Sequence, residues 1–261
     1  MKRLLTVILL IAAGLAQAQS VPVDQENARK AKAAIDQMIQ ALGGSAYLNI
    51  EDISQEGRTY SFYHGEANSL GILFWRFYKY PDKDRIELTK KRDIAYVYNG
   101  DNGYEITYKG TRADDAKTVT DTLRRRNYAL DWVLRHWLNE PNIALFYNGS
   151  TVAAEKPAEQ VMLLNSRNQG VTIDIDVNTH LPIKKSFSWR DPTDQGRNTE
   201  EEIYDGYRSI QGIMTPFSIT RYYNGDMANQ RFLTTVTYNQ SLPESKFAAQ
   251  VTYGPKTAPT Q

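Results

Sequence analysis

"VTIDIDVNTHLPIKKSFSW", residues 171–189, can be read in two ways that lead to different proteins. Asp174, Asp176 and Asn178 stand at alternate positions, the spacing that opens a calcium-binding loop. A loop of that kind beginning at Asp174 needs Gly at its sixth position and Glu at its twelfth, where this chain has Thr179 and Lys185. The ligand set fails at both decisive places. As a strand the stretch does better, because Val171, Ile173, Ile175 and Val177 fall on one face and Thr172, Asp174 and Asp176 on the other. A turn through residues 178–182 would then pair Val177 with Ile183, Ile173 with Phe187 and Val171 with Trp189. The same register sets Asp176 opposite Lys184, a cross-strand pair contributing ~0.2–1 kcal/mol, and brings Lys185 onto the apolar face. The stretch is a hairpin, and the chain around it reads as sheet.

Runs of β-branched and aromatic residues divided by Gly, Pro, Asn and Asp recur on both sides of the hairpin. Before it come "ISQEGRTYSFYHG", "LGILFWRFYKYP", "DRIELTK", "IAYVYNG" and "GYEITYKG", with "NGDNG" at 99–103 the plainest hairpin turn. Around and after it come "TVAAE", "QVMLLNS", "EEEIYDGYRSI", "TPFSITRYYNG" and "QRFLTTVTYNQ". Roughly a dozen strands are implied, too many for a flat sheet to stay open without curling.

Two segments break the pattern. Over 24–42 the spacing of Ala28, Ala31, Ile35, Met38, Ile39 and Leu42 is helical, and Gly43-Gly44 supplies a stop. Over 118–141, Leu123, Leu130, Val133, Leu134, Trp137 and Leu138 fall on one helical stripe, in one long helix or two short ones. Arg124, Arg125 and Arg126 point in three successive directions there, so they cannot share one partner; a solvated basic face is expected. The expected fold class is mainly β with helices (α+β).

The first residues carry Lys2 and Arg3, an apolar run from Leu4 to Leu15 and a small-x-small site, Ala16-Gln17-Ala18. This is the pattern of a secretory signal peptide over 1–18, cut after Ala18, its apolar run too short to span a bilayer. Residues 19–247 are expected to form one domain, with 248–261 a flexible tail. There is no Cys, so neither a disulfide nor a lipidated N-terminal cysteine holds the mature chain. Taking Lys2 and Arg3 from the 31 basic residues leaves 29 against 30 acidic ones, a balance that gives nucleic acid no purchase. With 17 Tyr, 8 Phe and 4 Trp the strands must build either a thick core or an aromatic-walled cavity. In "LFWRFYKYP" Leu73, Trp75 and Phe77 face one way and Phe74, Tyr78 and Tyr80 the other; either set could be core or pocket wall, since both demand apolar groups.

Catalytic patterns are missing. His64, His136 and His180 lie in separate segments with no second ligand at metal spacing, and no nucleophile elbow, phosphate loop or dinucleotide fingerprint occurs. Glu200, Glu201 and Glu202 read as a solvated strand edge rather than a metal site. A hydrolytic reading through dispersed carboxylates such as Asp174 and Glu201 has no constellation behind it. No catalytic residue, metal or cofactor is expected, and no enzymatic activity.

The order of features resembles the LolA/LolB superfamily, and in particular the LolA-like periplasmic proteins that sort outer-membrane lipoproteins. The residues that carry the likeness are "YPDKDRIEL" (80–88), "VYNGDNGYEITY" (97–108), "DIDVNTHLPIKK" (174–185) and "DGYRSIQGIMTPFSI" (205–219). The resemblance implies an incomplete antiparallel β-barrel of about eleven strands with helices covering its concave face. It implies that the N-terminal helix and the 118–141 segment act as plug and lid over an apolar cavity, with Trp75, Phe77, Tyr78, Tyr80, Leu130, Trp137, Ile173, Phe187 and Trp189 as candidate lining. The chain departs from the family at the lid: Tyr80 precedes Pro81 where the carriers place an arginine. The function implied is that of a soluble periplasmic monomer, a carrier or chaperone. It would hold a lipid or lipoprotein acyl chain and exchange it with membrane-associated donor and acceptor proteins. The alternative is a periplasmic sensor or interaction module that uses the same fold to bind a protein partner.

Overall fold

A computed structural model describes residues 23–254. Residues 1–18, expected to be a signal peptide, lie outside the described residues, as does the end of the expected tail from 255. Helix α1 (Val23–Leu42) and the single turn α2 (Ser45–Leu48) open the fold. Ala31, Ala34, Ile35, Met38, Ile39 and Leu42 of α1 are buried, as their spacing requires. The helix stops where Gly44 adopts φ +59° and donates its N–H to Ile39 O at 2.8 Å.

Among the described residues fourteen strands follow: β1 (Asp52–Tyr63), β2 (Glu66–Ala67), β3 (Ile72–Lys79), β4 (Lys83–Leu88), β5 (Ile94–Asn99), β6 (Asn102–Thr107), β7 (Gly110–Ala113), β8 (Ala144–Ala153), β9 (Lys156–Leu164), β10 (Gly170–Asp176), β11 (Pro182–Arg190), β12 (Arg197–Ile210), β13 (Ile213–Tyr223) and β14 (Asp226–Tyr238). All pairings are antiparallel, in the order 7-6-5-4-3-1-14-13-12-11-10-9-8, with β2 a short addition to β1. The sheet is therefore an open half-barrel with edges at β7 and β8. Between those edges the chain passes through α3 (Ala116–Asn127) and α4 (Leu130–Arg135) and a 3₁₀ turn, Trp137–Asn139. The helical interruption is two short helices, and it bridges the mouth of the open barrel.

There are more strands than the run of aromatic segments suggests. β2 and β7 have two and four residues, too few for composition to register, and β8 begins at Ala144, ahead of the "TVAAE" signal. The β1–β14 pairing carries a bulge: the register shifts between Glu56 and Gly57, with Thr234 the extra residue on β14. A Cβ on Gly57 would stand 2.1 Å from Phe232 O, so only glycine fits there. The tail is tied down further than its composition suggests. Thr252 exchanges hydrogen bonds with the β7 backbone (Thr252 N to Thr111 O 2.8 Å, Thr111 N to Thr252 Oγ1 2.8 Å) and covers that edge.

The β10–β11 hairpin forms, but two residues out of the expected register: Val171 pairs with Phe187, Ile173 with Lys185, and Asp174, not Asp176, with Lys184. A slip of two preserves the faces, so Val171, Ile173 and Ile175 are all buried inward, while Val177 leaves the apolar row for the turn. The physical reason is Asp176. Its carboxylate accepts from the N–H groups of Asn178 (2.8 Å) and Thr179 (2.9 Å), closing the turn instead of pairing with a lysine. Asp174 faces outward, where it accepts from Gln160 (2.8 Å) and lies 3.4 Å from Lys184, a lysine it shares with Glu201.

Candidate functional site

Inward-facing side chains meet two fates. Under α1 and α4 they are filled in: Val161, Leu163, Val171, Ile173 and Phe187 form one dry cluster with Ile35, Met38, Val133, Leu134 and Trp137. Tyr128 stacks on Phe187 at 4.1 Å and meets Trp137 edge-on at 5.4 Å. Under α3 the inward face is hollow. A cavity of about 690 Å³ is lined by strands from β7 round to β11, by the end of α1 and α2, and by the facing residues of α3 and α4. A face whose strands from both sides of the β1–β14 seam line one cavity is concave, as the open barrel demands.

The two ends of the cavity differ chemically. Toward α2 lie Leu42, Tyr47, Ile50, Ile53, Leu130 and Met214. Along β11–β14 lie charged groups in register: Lys185 opposite Glu202, Glu202 opposite Arg221, Arg221 opposite Asn229, and Arg231 two positions further along β14. Lys185 is buried and donates to Glu202 at 2.9 Å. Burial alone would raise the Glu202 carboxyl. Lys185 and Arg231 beside it, with hydrogen bonds from Lys185 and Tyr204, hold it down at about 2. Arg76 faces the same space from β3, its guanidinium forked on Asp84 (2.9 and 2.8 Å). The cavity is amphipathic rather than wholly apolar, which corrects the expectation of a greasy chamber. Tyrosines supply most of its aromatic wall, and most of their hydroxyls are partnered: Tyr78 donates to Pro81 O, Tyr207 to Pro182 O, Tyr238 pairs with Thr215, and Tyr98 bonds to Asp114. Burial first, and the Asp114 carboxylate after it, push the Tyr98 hydroxyl up to about 12.

The helical cover is fastened at named points. Tyr80 donates its hydroxyl to Asp131 of α4, and the Arg135 guanidinium lies 3.8 Å over the Tyr80 ring. Burial, then Asp131, drives the Tyr80 hydroxyl well above its ordinary value. A tyrosine thus makes the sheet-to-lid contact at the position where the resemblance would put an arginine. The three arginines of α3 do not form a solvated face. Arg124 lies 4.0 Å over the Trp189 ring, Arg125 reaches Glu200 at 3.2 Å, and Arg126 donates to Gly100 O (2.8 Å) and Asp82 O (3.2 Å). Their three directions serve three intramolecular partners. Glu200 and Glu202 are likewise no solvated edge, because β12 lies inside the sheet between β11 and β13. Among the described residues no group of three His, Cys, Asp or Glu side chains is placed to hold a metal ion.

Of the nine candidate lining residues, Tyr78, Tyr80 and Leu130 reach the cavity. Trp137, Ile173 and Phe187 sit in the filled cluster, with Trp189 beside it under Arg124. Trp75 and Phe77 are on the opposite face of β3, under Arg92 (4.1 Å) and Lys246 (3.4 Å). Alternation explains the division, since Trp75 and Tyr78 cannot face the same side of one strand. Sequence reasoning missed Arg76, Lys185, Glu202, Arg221 and Arg231. The one signal in the chain was Lys185 landing on the apolar face of its hairpin.

No family model matches the chain and no curated protein does. Solved structures do match. A DUF1329 family protein from Desulfovibrio piger superposes with a TM-score of 0.56 at 12% identity, covering 84% of this chain and 97% of that one. A putative outer membrane lipoprotein-sorting protein domain from Vibrio parahaemolyticus gives 0.53 at 9% (85% and 97% covered), and a LolA superfamily protein from Nitrosomonas europaea 0.52 at 11% (84% and 97%). At such identities the likeness is one of architecture: an open antiparallel half-barrel with helices over its concave face. The chain shares the fold of these three proteins.

Proposed function

We propose that the chain is an exported periplasmic carrier that holds the acyl chain of a lipid or lipoprotein inside the half-barrel, with α3 and α4 as its lid. The observation that carries the reading is the unfilled cavity of about 690 Å³ between the sheet and those helices, a volume within the usual range of ligand sites. Cores close-pack, so a space this large is retained for an occupant rather than left by chance. Each acyl methylene buried at the Leu42, Tyr47 and Ile50 end contributes ~0.8 kcal/mol, enough for affinity without a catalytic group. The signal-like residues 1–18 and the shared fold of a lipoprotein-sorting domain support export and the carrier role.

Native mass spectrometry and organic extraction of the purified protein are expected to recover a bound lipid, and a fluorescent fatty acid to bind saturably. A protein that comes out empty and takes up no probe would end the carrier reading. A protein partner that co-purifies and stays bound when the cavity is blocked would replace it with an interaction module.

A further inference from the structure

The charged groups on the cavity wall are unevenly distributed. Arg76 is neutralised by Asp84 through two well-formed hydrogen bonds. Along β11–β14 and α3, four cations share two carboxylates: Arg125 (3.2 Å) and Arg221 (3.4 Å) converge on Glu200, and Lys185 (2.9 Å) and Arg231 (3.7 Å) on Glu202. Glu202 accepts from Lys185 and Tyr204 on Oε2, and its Oε1 faces Arg231. Arg231 is left beyond hydrogen-bond reach of its acid, and among the described residues its five N–H donors meet no acceptor. The acids elsewhere on the lining are occupied by other donors: Asp131 by Tyr80, Asp114 by Tyr98, Asp115 by the α3 N-terminus.

A guanidinium does not shed its proton in proteins, so a partly buried one that shares its only nearby carboxylate with a lysine and makes no hydrogen bond to it can still take acceptors from a ligand. Burial first, with Arg76 and Arg221 nearby, disfavours the Arg231 charge, and Glu202 offsets only part of this. Arg231 stands diagonally from Arg221 across the β13–β14 ladder, ~7–8 Å apart at Cβ, close enough for both forks to reach one carboxylate or phosphate group. On the same strand Tyr238, at the apolar end, lies roughly 20 Å from Arg231.

We infer that Arg231 and Arg221 form a subsite for an anionic head group, the carboxylate or phosphate of an amphiphile whose acyl chain runs toward Leu42, Tyr47 and Ile50. This rests on the carrier reading and names the chemistry of its cargo. Fluorescent probes of one chain length, one a free fatty acid and one its methyl ester, separate the two ideas. Wild-type protein should bind the carboxylate at least about tenfold more tightly than the ester, the worth of one charge-assisted hydrogen bond. Arg231→Met should bring that ratio close to one, and Arg221→Met should lower it less, with thermal melts reporting that each variant folds. A wild-type ratio near one, or a ratio unmoved in Arg231→Met, overturns the subsite while leaving the carrier standing. If neither probe binds, both fall. Inorganic phosphate should compete weakly against the carboxylate probe. If it binds more tightly and excludes that probe, the site serves a free anion and the amphiphile proposal is overturned.

Discussion

The filled half of the concave face and the hollow half are built from the same alternating strands, and they differ in the helix laid over them. Over β8–β11, α1 and α4 bring Ile35, Met38, Val133, Leu134 and, from the turn beyond, Trp137, all buried. Over the other strands α3 brings Thr118, Thr122 and Arg125 and buries nothing of its own. Inward-facing residues become core only when a helix with an apolar stripe descends on them. A polar helix that presents Thr118, Thr122 and Arg125 leaves the same kind of face open.

Breaking the filled half should cost the most. Trp137 is fully buried against Tyr128, and Trp137→Ala is expected to lose about 3–5 kcal/mol in urea unfolding. A loss below ~1 kcal/mol would mean that this half is as loosely packed as the other. Next comes Glu202→Gln, which strands the buried Lys185. Because folding depresses the Glu202 carboxyl from 4.5 to about 2, its contribution is present above ~4.5 and lost as pH falls through ~2. That contribution is about 3 kcal/mol. Stability followed by urea unfolding across that window should fall in the wild type and fall less in the variant, which starts lower at neutral pH.

Tyr80→Phe removes the hydroxyl that holds Asp131 and should cost ~1–2 kcal/mol. Amides of α4 are expected to exchange faster while those of β10 do not change. Equal acceleration in both would show that lid and core open together. The smallest effect on stability is expected from Ile86→Trp, which adds volume inside the hollow half. There it should cost under ~1 kcal/mol yet block the fatty-acid probe, whereas Ile173→Trp in the filled half should cost ~1–3 kcal/mol or more.

Periodicity made α1 legible almost to the residue, because Ala31 to Leu42 bury one stripe and Gly44 ends it. The hairpin at 171–189 was legible as to face but not as to register. The choice between Asp174 and Asp176 as the partner of Lys184 was settled by backbone N–H groups in the turn, which sequence alternation does not encode. Half of the site was hidden for a similar reason. Leu73, Trp75 and Phe77 are as apolar as Phe74, Tyr78 and Tyr80, so β3 alone does not say which row faces in. Arg76 sits in the inward row and reads as surface until Asp84 and the cavity are placed around it.

By itself the sequence determined local order: one amphipathic helix, strands of period two, a helical interruption, and residues 80–88, 97–108, 174–185 and 205–219 that resemble LolA-like hairpins. Those features come from side-chain spacing along the chain, which is a local property. Only the tertiary structure decided that β14 pairs with β1, that the sheet curls without closing, and that α3 spans the gap. It also decided that Lys185, Glu202, Arg221 and Arg231 meet on one wall of a cavity. Burial and charge compensation depend on groups distant in the chain, and no spacing rule fixes how such groups come together.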